Sequence, residues 1–164
     1  MSLAQSAFGD FEHEFANTRR MIERVPEAHL DYQPHEKSFT LRRLVNHCCD
    51  FGMWGAITIN QDVLDFAIPR PPEPPMNTAA DFLKKFDEGL AAFRAAMANV
   101  SDSAMMDTWT MKNGERVFMA MPRLAVLRNF VISHMIHHRA QLTMYYRAVG
   151  VSVPGLYGPS ADEQ

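Results

Sequence analysis

The sequence predicts an all-α fold, a four-helix bundle forming one domain over residues 1–164, with a short hairpin between the third and fourth helices. Three observations carry this expectation. Apolar residues recur at alternating steps of three and four in four separate segments, the mark of a helix with one buried face. Each segment is roughly 20 to 28 residues long, or about 30 to 42 Å, which suits a bundle. The connections are polar, turn-rich or full of proline, so the periodic runs stay apart.

The first segment places Phe8, Phe11, Phe15, Thr18, Ile22 and Val25 on one seam and stops at Pro26. A polar, turn-rich stretch to Phe39 follows. The second seam is Leu44, His47, Phe51, Trp54 and Thr58, opened by Thr40 as a cap. Pro69-Arg70-Pro71-Pro72-Glu73-Pro74-Pro75 then forbids helix. At about 3.1 Å per residue, an extended strap over residues 61–76 is long enough to travel the length of a bundle and permit a crossover. The third seam, opened by Thr78 or Asn77, is Ala79, Phe82, Phe86, Leu90, Phe93, Met97 and Val100. Asn113-Gly114, flanked by Trp-Thr-Met and Arg-Val-Phe-Met, signals the hairpin. The fourth seam is Leu124, Leu127, Val131, His134, His138, Leu142 and Tyr145, with Pro122 before it and Gly150 after it.

Composition narrows the function classes. The formal net charge is -3, and Lys and Arg occur in no run longer than a pair, so the basic footprint of a nucleic-acid binder is missing. No leader-like segment opens the chain, and no apolar run approaches the ~20 residues of a membrane span. The two cysteines, Cys48 and Cys49, are helical neighbours that point apart and form no disulfide with each other. A cytoplasmic protein with no nucleic-acid or membrane partner is expected.

Three of the seven histidines fall on inward seams. His134 and His138, four apart on one helix, put both rings on one face, where they can bite a single ion together. His47 on another helix would complete a facial set and leave coordination positions open. The same spacing also suits hydrogen-bonded core histidines, and residue chemistry alone leaves both readings standing. His137 is about 100° around the helix from His138 and reads as a supporting or surface residue. His13, His29 and His35 fall outside the seams or in loops. Asp50 and Tyr145 are the nearest groups for proton transfer, and Phe51 and Trp54 share the His47 seam as either core or pocket wall. Glu-x-x-His pairs, which a di-iron bundle needs, are absent.

Ser133-His134-Met135-Ile136-His137-His138-Arg139-Ala140-Gln141-Leu142, followed by Tyr146-Arg147, resembles the DinB family of the DinB/YfiT-like superfamily. So does the tail Val153-Pro154-Gly155-Leu156-Tyr157-Gly158-Pro159-Ser160-Ala161-Asp162-Glu163. Arg24-Val25-Pro26, Pro34-His35-Glu36-Lys37-Ser38 and Leu44-x-x-His47 extend the likeness through the N-terminal half. Ala140 departs from it, because glycine is frequent there in the family. The resemblance implies an up-down-down-up four-helix bundle, a homodimer, and a divalent ion, nickel or zinc, on His47, His134 and His138. It further implies a metal-dependent thiol S-transferase, or a related hydrolase or isomerase, using a low-molecular-weight thiol on a small electrophile. A non-catalytic stress-response metal-binding protein is the alternative.

Overall fold

A computed structural model describes residues 2–163. Ser2 and Gln5 make a capping box that starts a short helix, α1 (Leu3–Ala7). Helix α2 (Phe11–Ile22) begins after the turn at Gly9-Asp10 and is shorter than its seam suggested. Helix α3 (Leu41–Asn60) starts where Thr40 Oγ1 accepts from the Arg43 amide. Strand β1 (Val63–Asp65) and the proline strap follow. Thr78 and Asp81 then form the capping box of α4 (Ala79–Asn99). A short α5 (Asp102–Met106) leads into β2 (Thr108–Asn113) and β3 (Arg116–Pro122), turned at Gly114 with φ 60°. The last helical stretch joins α6 (Arg123–Val126), a π-helical segment (Leu127–Ser133) and α7 (His134–Ala148).

Cross-helix contacts fix the directions. Cys49 with the Phe82 carbonyl, Asp50 with Lys85, and Gly52 with Gly89 advance together along α3 and α4, so these two run parallel. The strap is therefore a crossover. Tyr146 bonds to the Met21 carbonyl and Arg139 to Glu14, so α7 runs parallel to α2. Arg19 with Asp87, and Arg94 with Glu12, set α2 antiparallel to α4. The main core between these helices is rich in aromatic rings, with Phe15, Phe51, Phe82, Phe86 and Phe93 fully buried.

The class is mixed α/β, which corrects the all-α four-helix-bundle expectation. Three strands form a sheet of order β1-β2-β3, with β1 parallel to β2 and β2 antiparallel to β3. The hairpin lies where Asn113-Gly114 marks it, but Val63–Asp65 adds a third strand where the sequence predicts the start of the strap. Three residues are too few for period two to register, and their partners, Thr110 to Lys112, lie beyond α4. Asp65 fastens the join, since its carboxylate accepts from the Gly114 and Ala67 amides at 2.9 Å each. Leu64, Trp109 and Val126 give the sheet its own small core against α3 and the last helical stretch.

Candidate metal centre

Helix α3 offers His47, Phe51 and Trp54 at successive turns, and α7 opens with His134 and reaches His138 one turn later. The packing brings the three rings together. Centroids lie 4.6 Å apart for His47 and His138, 5.1 Å for His47 and His134, and 4.6 Å for His134 and His138. One nitrogen from each ring lies within 4.8 Å of the other two. This is the separation at which three imidazoles could hold one ion.

Electrostatics favour the ligating form. Burial, followed by the neighbouring His138 and His134, pushes the His47 pKa down to about 4. Burial also lowers His134 and His138. All three are neutral near pH 7, and neutral imidazole is the form that binds metal. Gln141 orients one of them: His138 Nδ1 donates to Gln141 Oε1 at 2.7 Å, leaving Nε2 as a lone-pair nitrogen aimed at His134 Nε2, 2.8 Å away. The Gln141 amide in turn donates to His137 Nε2 at 3.1 Å.

A hydrogen-bonded histidine core should satisfy its nitrogens. Here buried His134 Nδ1 makes no well-formed hydrogen bond, although the Phe130 backbone acts on the ring and, against the larger effect of burial, raises its pKa, and half-buried His47 makes none among the described residues, its Nδ1 lying 4.0 Å from Asp50. One buried ring nitrogen is thus left over, and one nitrogen of each ring converges with those of the other two. The residues fit a divalent ion better than a closed polar core.

The surroundings are aromatic. Phe51 packs 5.0 Å from both His47 and His134, Trp54 lies 5.5 Å from His47, and Phe39 lies nearly parallel to His138 at 6.2 Å. A cleft of about 360 Å³ opens over His138, lined by Lys37, Ser38, Phe39, Gln141, Met144 and Tyr145. A larger cleft, about 630 Å³ between α1, α2 and α4, is lined by no histidine. Neither candidate for proton transfer is free: Asp50 pairs with Lys85 at 2.6 Å, and the Tyr145 hydroxyl donates to the Phe39 carbonyl. Lys85 also reaches Glu73 on the strap at 2.6 Å.

The remaining histidines stay apart from the cluster. His13 pairs with Asn17, His29 sits in a 3-10 turn, and His35 accepts from the Lys37 amide. Cys48 and Cys49 are free and buried, with thiol pKa values pushed up by desolvation, and neither joins the histidine group. Sequence reasoning missed Gln141 and the Lys37–Phe39 loop. Gln141 carried a usable signal, standing three residues after His138 on the same helical face.

Among known proteins, the model described as the DinB family matches residues 4–164 of this chain. The uncharacterized protein YrdA of Bacillus subtilis (strain 168) is 29% identical over 157 residues, covering 93% of this chain and 87% of that protein. Two crystal structures share the fold. A DinB-like protein from Bacillus cereus ATCC 10987 has TM-score 0.69 and 20% identity, over 93% of this chain and 97% of that one. The DinB-like protein YjoA from Bacillus subtilis has TM-score 0.66 and 17% identity, over 97% and 98%.

Proposed function

This chain belongs to the DinB family, and on that premise we propose that it binds one divalent metal ion through His47, His134 and His138. The observation that carries the reading is the convergence of three neutral imidazoles, with one nitrogen from each within 4.8 Å of the other two. Nickel and zinc both suit an imidazole donor set. Three protein ligands leave positions open, and the cleft over His138 gives small molecules a route to them.

The reaction we assign is transfer of a low-molecular-weight thiol to a small electrophile, or a related hydrolysis or isomerisation. A divalent ion held by neutral ligands keeps its positive charge and stabilises the thiolate, the nucleophilic form. The chain's own residues bind and orient: Gln141 holds the His138 ring, and Phe39 and Met144 supply apolar wall. One observation favours a second reading, a non-catalytic stress-response metal-binding protein. Asp50 and Tyr145 are both engaged, leaving no free acid or base of the two beside the histidines. A second copy of the chain is the partner we assign, testable by sedimentation velocity.

Elemental analysis of untagged protein is the direct test. We expect about one divalent ion per chain, lost in His138→Ala while the helical circular dichroism is kept. A variant that retains full metal would overturn the ligand set. Metal-dependent turnover of a thiol with an electrophile such as 1-chloro-2,4-dinitrobenzene separates the readings, because the non-catalytic one expects none above the chelated control.

A further inference from the structure

The cleft over His138 has a one-sided charge. Lys37 lines it, and its ammonium has no carboxylate partner among the described residues. Arg43 is likewise unpaired with any carboxylate, and its guanidinium lies 3.9 Å from the centroid of Phe39, another wall residue. No Asp or Glu lines the cleft, and the nearest acid along α3 from His47, Asp50, is held by Lys85. Arg19, Arg42, Arg94, Arg128 and Arg147 each meet a carboxylate, whereas Arg24, Arg70, Lys84 and Arg116 share the unpaired state of Lys37 and Arg43 among the described residues but do not line this cleft. Lys37 thus lines the cleft uncommitted, and Arg43, which lines a second cleft with Glu73, reaches this one through its contact with Phe39. Ser38 adds a hydroxyl with no hydrogen bond of its own among the described residues, while Phe39 and Met144 add an apolar wall.

We infer that this cleft takes a small molecule bearing a carboxylate, which Lys37 and Arg43 attract and hold while its apolar part lies along Phe39 and Met144. The volume of about 360 Å³ falls in the range of small-molecule sites. Charge-assisted hydrogen bonds from ammonium and guanidinium would fix the carboxylate end. The opposite end would then be directed at His138. The inference rests on the metal reading only for what that end meets; the charge pair acts with or without an ion.

Calorimetry of the full chain with N-acetylcysteine and N-acetylcysteine amide, which differ by one charge, tests it. We expect the acid to bind about tenfold more tightly than the amide in metal-filled protein. The preference persists, at weaker affinity, in metal-free protein. Lys37→Gln with Arg43→Gln should cut it to below about threefold without changing metal content, and Lys37→Arg should retain it. Equal affinity for acid and amide, an unchanged preference in the double variant, or no binding of either compound would overturn the inference. A chain that takes up no metal yet keeps the preference would overturn the metal reading alone.

Discussion

Gln141 touches two histidines, and its consequence for the third ring position is direct. By accepting from His138 Nδ1, it presents Nε2 toward His134. Gln141→Leu should weaken metal binding by about 10- to 100-fold, as loss of such an orienting partner typically does. Competition against a chelating dye would read this, and unchanged affinity would show that the ring is held by packing alone. Protons compete as well. His47 protonates near pH 4 in the folded metal-free chain but near 6.5 when unfolded. Between those values the unfolded state binds more protons, so stability is full above about pH 6.5 and falls as the pH drops toward 4. Urea midpoints of chelated protein should therefore be lower at pH 5 than at pH 7.5, and His47→Gln should flatten the difference. The histidines were legible in the sequence because helical period alone puts residues 47, 134 and 138 inward. Their supporting residues were not, because the Lys37–Phe39 loop reaches the site through tertiary folding, which leaves no period.

Among the elements, α3 and α4 approach most closely where two glycines cross. A Cβ on Gly52 would lie 2.5 Å from the Gly89 carbonyl carbon and 2.6 Å from the Leu90 nitrogen, both backbone atoms that a side-chain rotation cannot move aside. Gly52→Ala should cost at least about 2 kcal/mol. Gly158→Ala, whose new methyl meets nothing within 4 Å, is the control and should change stability by less than about 0.5 kcal/mol. Chemical denaturation of both variants decides; a neutral Gly52→Ala would mean that the helices can part freely. Seams located α3 and α4 well because their apolar faces are long and unbroken. They overran α2, where Gly9-Asp10 turns the chain while Phe8 stays in the core. Spacing also could not expose the π-helical winding of Leu127–Ser133, just before His134, since three-four spacing tolerates one widened turn.

At the scale of the whole molecule, the C-terminal tail ties the helices together. Gly150 turns the chain at φ 77°, and the tail then meets α2: Asn17 donates to the Leu156 carbonyl and Arg20 to the Gly155 carbonyl. The Tyr157 hydroxyl donates to Glu14, which also pairs with Arg139 at 2.6 Å, both partners buried. Glu14→Ala leaves the Arg139 guanidinium uncompensated and should cost about 3–5 kcal/mol. A denaturation change below about 1 kcal/mol would mean that water replaces the carboxylate. The tail was legible as a motif, but its role was not, since its partners lie more than 130 residues away. Cys48 and Cys49, meanwhile, lie within the core on the helix that carries His47. Their thiols are shielded and resist ionisation, so an alkylating or disulfide reagent can reach them only when α3 swings free of its neighbours. The pair is thus a native clock for that opening, and an ion bridging α3 to α7 should make it tick more slowly.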